Sequence, residues 1–205
     1  RRAVNTRQAQ AEVTRRHLLD AARQVFAERG YMGATVALIT DAANTAHGTF
    51  YLHFKNKEDV FVQVMADVLE EVYGPAFVLP EGVSEVRPSD HLRERIAAFL
   101  ETCAAHRGLW RALHEGAIAS PVVGAAWMSW RERFHGAVAK LFVRADATGD
   151  IEVVDPRIAA DALCSMIEWY AFTGVSFGDD DSLAVTETVI DTLVTIWIKA
   201  LAPAS

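Results

Sequence analysis

The sequence predicts an all-α protein of about nine helices, a three-helix head containing a helix-turn-helix followed by a helical bundle. Apolar residues recur at helical spacing along nearly the whole chain, and no alternating strand pattern of useful length interrupts them. Glycine, proline and capping residues punctuate the periodic stretches at helix-length intervals. With 205 residues, 51% of them hydrophobic, the chain can bury a sizeable core and is too apolar to be disordered. The expected division is a head over residues 1–56 and a helical domain over 57–205.

From Ala11 to Arg29, Leu18, Ala22, Val25 and Phe26 follow an i, i+4, i+7, i+8 pattern, and Gly30 stands where a helix C′ residue belongs. Thr35 is the N-cap of a short second helix over Val36–Ala43, with Leu38 and Ile39 facing inward. Asn44-Thr45 reads as a tight turn, because Asn tolerates the left-handed conformation, and a third helix starts near Ala46 or His47. Asn56 with Asp59 three residues on caps a fourth helix from Lys57 to Tyr73, ended by Gly74-Pro75. Residues 74–88 read as a loop, and Ser89 or Asp90 then caps a helix through His106. Further helices are expected over Leu109–Ala119, Val122–Ala147, Pro156–Thr173 with Asp155 as N-cap, and Ser182–Leu201. In the last of these, apolar residues cover most of the circumference, which calls for cover on two sides. Glu187, Asp191 and Lys199 make a membrane span expensive, so a second subunit is the expected cover.

Charge is distributed unevenly. Residues 1–57 carry nine basic side chains against four acidic ones, a net +5, while the remaining residues carry 11 basic and 23 acidic, a net −12. A small basic head on an acidic body suits a polyanion-binding unit attached to a regulatory domain. The second helix of a helix-turn-helix enters the major groove, and the run "TAHGTFYLHFKNKEDVF" supplies groups for that role. Phe50 and Phe54, at i and i+4, pin the helix to its domain and leave His47, Thr49, Tyr51 and His53 for outside contacts. Gly48 costs about 1 kcal/mol in a helix interior and permits close backbone approach to another surface. Lys57, at the start of the fourth helix, reaches toward a phosphate. The same run also suits an ordinary helical hairpin with solvated histidines.

The stretch "FAERGYMGATVALITDAANTAHGTFYLHFKNKEDVF", Phe26 to Phe61, resembles the TetR family of transcriptional regulators, with landmark matches at Gly30-Tyr31, Thr35, Ile39, Ala43, Gly48-Thr49, Tyr51, Phe54, Lys57 and Glu58-Asp59. The resemblance implies DNA contacts from Thr35, His47, Gly48, Thr49, Tyr51, His53 and Lys57, with His47 and Thr49 as base readers. One departure is local: Asn44-Thr45-Ala46 stands where the family has Gly-Val-Ser, so the serine cap is lost and Thr45 is the substitute.

"VIDTLVTIWIKAL", Val189 to Leu201, together with the spacing of "AAFLETC" and "AAW", is similar to a subgroup of that family, the mycobacterial ethionamide-resistance repressor and its relatives. The similarity implies a homodimer through the last two helices, at Leu163, Tyr170, Val189, Leu193 and Trp197, and a hydrophobic effector channel. Its lining positions here are Leu92, Phe99, Cys103, Trp127, Phe134, Cys164, Ile167 and Trp197. All five tryptophans follow residue 109, and Trp110 and Trp130 join the candidate lining. Such an aromatic cluster builds either a plain core or an apolar small-molecule pocket. Polar groups that could orient a ligand are few: Glu168, His114, Thr102 and Thr173.

The expected partners are a double-stranded DNA operator, a small hydrophobic effector and a second copy of the chain, with no cofactor, metal or membrane. The two cysteines, Cys103 and Cys164, lie in apolar helical patterns and form no CxxC motif, and no signal-peptide pattern is visible, which fits a cytoplasmic protein. An enzyme is disfavoured because His114-Glu115 lacks the second histidine of HExxH and no Gly-rich phosphate loop precedes a helix. A helical ligand carrier with no DNA role is the alternative.

Overall fold

The computed structural model describes residues 2–77, 88–175 and 185–202. Among these every regular element is helical, in the order α1 (Arg2–Gly33), α2 (Val36–Ala42), α3 (His47–Phe50), α4 (Lys57–Phe77), α5 (Pro88–Ala105), α6 (Arg107–Ala119), α7 (Pro121–Thr148), α8 (Pro156–Tyr170), a π turn (Ala171–Val175) and α9 (Glu187–Leu201). The all-α expectation therefore holds, and the differences lie at helix ends.

α1 begins well before Ala11, and its regular path breaks at Gly30 (φ 70, ψ 177), a conformation that glycine adopts without a Cβ clash. Thr35 caps α2 as expected, its hydroxyl accepting from the Leu38 amide at 3.2 Å. Asn56 caps α4 by accepting from the Asp59 amide at 2.8 Å, and the Asp59 carboxylate reaches back to the Lys55 amide at 2.9 Å. α4 does not stop at Tyr73 but runs through Gly74-Pro75 to Phe77, so part of the expected loop is helix; the rest, residues 78–87, lies outside the described residues. α8 ends at Tyr170, and the chain then widens into the π turn rather than continuing as α-helix to Thr173. α9 starts at Glu187, later than Ser182, because Thr186 is its N-cap, accepting from the Val189 amide. Ser182 itself lies outside the described residues.

The chain forms two compact units. One comprises the residues up to Val68 with Gly108–Trp127, and the other Leu69–Arg107 with the residues from Met128 onward. In the first, α1 packs on α2 and α2 on α3. Leu18, Ala22, Phe26, Ile39, Phe50, Phe54, Val60 and Phe61 form its core, with Phe26 and Tyr31 edge-on to Phe61 at 4.6 and 4.9 Å between ring centres. Leu38 departs from expectation: it is 38% exposed, and the buried neighbour of Ile39 is Thr40, whose hydroxyl returns to the carbonyls of Val36 and Ala37. A short helix has only one inward stripe, and self-satisfaction lets a threonine sit there.

α6 is fused to this core at very short range. A Cβ on Gly108 would lie 2.3 Å from the Ala27 carbonyl oxygen, so only glycine permits the approach. Near its other end, the Glu115 carboxylate approaches the Gly30 break and accepts from the Met32 amide at 3.4 Å. In the second unit α5 packs on α9, and Arg93 on α5 pairs with both Glu187 and Asp191 on α9. Gly108→Ala should cost about 2 kcal/mol, because the obstruction is backbone that cannot rotate away. Urea denaturation checks this, and an unchanged midpoint would show that α6 can be displaced freely.

Candidate nucleic-acid interface and the helical unit

The turn between α2 and α3 is built by backbone hydrogen bonds. Asn44 takes φ 49, and its amide donates to the Asp41 carbonyl while the Thr45 amide donates to that of Thr40 at 2.9 Å. Asparagine thus takes the left-handed role of the turn glycine at modest cost. The expected cap is corrected. Ala46 occupies the N-cap position with no side-chain hydrogen bond, and the Thr45 hydroxyl is buried without a partner. Thr45 stands one residue upstream of the position from which a side chain can reach the helix amides, and its own amide is held by Thr40.

α3 is only four residues long, yet its hydrogen-bonded path continues through Leu52, His53 and Phe54, whose amides donate to Thr49, Phe50 and Phe50 respectively. Phe50 and Phe54 are fully buried with ring centres 5.4 Å apart, and the Arg15 guanidinium lies over Phe54 at 5.5 Å. Opposite them His47, Gly48, Tyr51 and Leu52 are exposed, and Thr49 and His53 half-buried. His47 and Tyr51 pack edge to face at 5.5 Å. The structure thereby brings five of the expected contact residues, His47, Gly48, Thr49, Tyr51 and His53, to one short surface segment, with Thr35 exposed at the start of α2. Lys57 is placed differently from a free phosphate arm. Its ammonium donates to the carbonyls of Tyr31 (2.9 Å) and Ala34 (3.2 Å) and sits 4.4 Å from the Tyr31 ring centre. One of its three donors stays available.

Of the expected channel residues, Phe99, Cys103, Phe134, Cys164, Ile167, Glu168 and Trp197 are buried in the second unit, with Leu92 and Trp130 half-buried there. Trp110 and Trp127 belong to the first unit, where their rings flank His114 at 5.3 and 4.9 Å. Thr102 and Thr173 turn their hydroxyls onto carbonyls of their own helical turns, Ala98 and Trp169.

Glu168, 5% exposed, is the hub of a polar network. It accepts from the Tyr73 hydroxyl (2.8 Å), Arg131 Nε (2.7 Å) and His135 Nε2 (3.3 Å). His135, itself buried, donates through Nδ1 to Asp161 at 2.8 Å, so both ring nitrogens face carboxylates. Arg131 also reaches Ser165, and Arg157 joins Asp161 to Glu132. Burial pushes the Glu168 carboxyl up, but the His135 hydrogen bond, the charges of Arg131 and His135 and the Tyr73 hydroxyl outweigh it and hold it below the usual carboxylate range. Asp161 is likewise lowered: exclusion from water raises it, but the hydrogen bonds from His135 and Arg157 and the charges of both together outweigh that. The Cys103 and Cys164 thiols are pushed up by burial first and the Glu168 charge second. Tyr73 stacks at a tilt on Phe134 (4.7 Å) and Phe99 (5.9 Å), so the network borders the aromatic wall. Sequence reading singled out Glu168 alone. The available signal was polar residues at i, i+4 within apolar helices, Arg131 with His135 and Asp161 with Ser165.

The residues expected at a subunit interface are largely core. Leu163, Leu193 and Trp197 (6% exposed) are buried within their own chain, and Tyr170 and Val189 half-buried. Large apolar residues on α8 and α9 go first to the subunit's own core, and the face left outward on α8 carries Ile158, Ala162 and Trp169, the last 63% exposed.

Replacing Glu168 by Gln should remove about 3 kcal/mol at pH 7, since Arg131 and His135 would face a neutral amide. A depressed carboxyl contributes stability above its unfolded value of about 4.3, and this is lost as pH falls through the folded value. The gap between wild type and Glu168→Gln in thermal melts should therefore close below about pH 4. A pH-independent gap would contradict the assigned ionisation.

A family model for bacterial regulatory proteins of the tetR family matches residues 18–64, and one for the C-terminal domain of the transcriptional regulator EthR matches residues 92–202. EthR of Mycobacterium tuberculosis is 23% identical over 185 residues, covering 90% of this chain and 85% of EthR. The transcriptional repressor DhaR of Mycobacterium sp. (strain GP1) is 39% identical over 88 residues, which are 43% of this chain and 44% of DhaR. The match thus spans less than half of DhaR, and it spans 26% of the Bacillus subtilis fatty acid metabolism regulator protein. Among solved structures, Salmonella enterica GusR superposes with a TM-score of 0.74 at 25% identity, over 92% of this chain and 95% of GusR. Bacillus subtilis FadR in complex with stearoyl-CoA superposes with a TM-score of 0.72 at 20% identity, over 90% and 98%, which shows a common fold.

Proposed function

The chain belongs to the TetR family of DNA-binding transcriptional regulators, with an EthR-type C-terminal domain, and from that premise we propose that it is a homodimeric repressor released from a palindromic operator by a small apolar effector. The observation that carries the reading is α3, pinned inward by Phe50 and Phe54 while His47, Gly48, Thr49, Tyr51 and His53 remain at the surface of a basic segment. Such a helix presents base-reading groups to a major groove. Thr35 and the remaining Lys57 donor hold phosphates beside it.

The effector occupies the aromatic side of the helical unit, bordered by Phe99, Phe134 and Ile167, with the Tyr73–Glu168 pair as its polar boundary. FadR, which shares the fold, is solved in complex with stearoyl-CoA. α4 supplies residues to both compact units, Lys57 to one and Tyr73 to the other, and its tilt is the step that couples them. A ligand favouring the DNA-incompetent state by about 3 kcal/mol weakens operator binding roughly 150-fold. The protein acts in the cytoplasm, and the outward α8 face of Ile158, Ala162 and Trp169 pairs with its symmetry mate.

Fluorescence anisotropy on the DNA flanking the protein's own gene tests the reading, and affinity independent of salt and sequence would sink it. Thr49→Ala should weaken binding by about 1–3 kcal/mol and relax the preference at one base pair, whereas Lys57→Ala should weaken all sequences alike. Trp169→Glu should give a folded monomer in sedimentation, while Trp197→Glu, at a core position, should lower the melting temperature instead. A dimeric Trp169→Glu would place the interface elsewhere.

A further inference from the structure

The outward face of α3 is centred on a residue not yet given a role. At about 100° per residue, Gly48 and Leu52 stand opposite the buried Phe50 and Phe54. His47 and Tyr51 flank this line on one side, Thr49 and His53 on the other. Leu52 is 81% exposed, and its amide donates to the Thr49 carbonyl at 3.2 Å, so the backbone aims it while the side chain gives nothing to the fold. One turn earlier, a Cβ on Gly48 would meet nothing within 4 Å, so packing inside the protein does not require glycine there. The pair leaves a bare backbone followed by a projecting apolar side chain, in the middle of a surface whose other members are hydrogen-bonding groups.

A leucine neither donates nor accepts, so it gains nothing from phosphates or from the polar edges of guanine, cytosine and adenine. The apolar feature of the major-groove edges is the thymine C5-methyl group. Resting on the DNA-reading role of α3 above, we propose that Leu52 is a specificity-determining residue that packs on a thymine methyl, distinguishing T·A from C·G at one position of each half-site. Gly48 lets the helix backbone come close enough for Leu52 to reach the base edge. Burying one methyl accounts for roughly a fourfold preference per half-site.

The test uses the full chain and a duplex enriched from a random pool by the wild-type protein. That duplex is resynthesised with deoxyuridine replacing thymine one position at a time, which removes the methyl and preserves every hydrogen-bonding group. Wild type should lose about fourfold at one symmetry-related thymine pair and little elsewhere. Leu52→Ala should bind the thymine and uracil duplexes equally, and Leu52→Met should keep the preference. Both variants should melt with the wild type, since the side chain is exposed. The proposal is overturned if no thymine is sensitive to demethylation, if the penalty persists in Leu52→Ala, or if Leu52→Ala weakens every sequence equally, which would mark a sugar contact. Failure to enrich any duplex would instead remove the DNA-reading role on which the proposal stands.

Discussion

A four-residue helix has no stability of its own, because nucleating a turn fixes several dihedrals for a single hydrogen bond. α3 exists because Phe50 and Phe54 are buried in the core of the first unit, and every surface residue of the helix takes its position from that anchorage. The aromatic pair fixes rotation about the helix axis, and rotation decides which side chains face outward. The turn before α3 adds little, since Ala46 provides no cap and the Thr45 hydroxyl has no partner. An uncapped start costs about 1 kcal/mol relative to a serine, so the burden on the two phenylalanines is greater here than in a capped helix.

The same dependence on packing explains the connections around α1. Its break at Gly30 redirects the chain so that Tyr31 stacks into the Phe26–Phe61 cluster and exposes the carbonyls of Tyr31 and Ala34 to Lys57. Lys57 acts there as a clamp on the approach to α2, while Thr35 caps the helix itself. Close packing of Gly108 on the Ala27 backbone then adds α6 to the unit. A small head gains a larger core in this way, which matters because a domain of some sixty residues is marginal alone.

Residue patterns were sufficient for the helices whose ends carry chemical signals. Thr35, Asn56 and Asp155 announced their caps, and the structure places a side-chain hydrogen bond at each. Ends without such a signal were misplaced: α4 passes through Gly74-Pro75, and a π turn replaces the end of α8, both tertiary outcomes that local propensity does not encode. Periodicity shows that a residue is buried but not against what. Trp197 and Leu193 are expected at a subunit interface, yet both are buried within the chain itself. Leu52 is illegible for the opposite reason, since a leucine among aromatics matches a packing pattern although the fold leaves it exposed. The Glu168 network was only partly legible, because its members come from α4, α7 and α8 and meet only in the folded unit.

That network sets the scale of any response to an effector. An apolar ligand offers nothing to a carboxylate already holding Tyr73, Arg131 and His135, so it cannot displace Tyr73 by competing for the hydrogen bond. In the proposed reading it acts by occupying space beside Phe99 and Phe134, against which the Tyr73 ring packs. Moving the ring would leave Glu168 one donor short, at a cost of about 1–3 kcal/mol for a buried acceptor. Typical coupling free energies between two sites fall in that same range of about 1–3 kcal/mol. In that reading a single hydrogen bond at the C-terminal part of α4 is large enough to separate the two proposed states, and small enough for an apolar ligand to break.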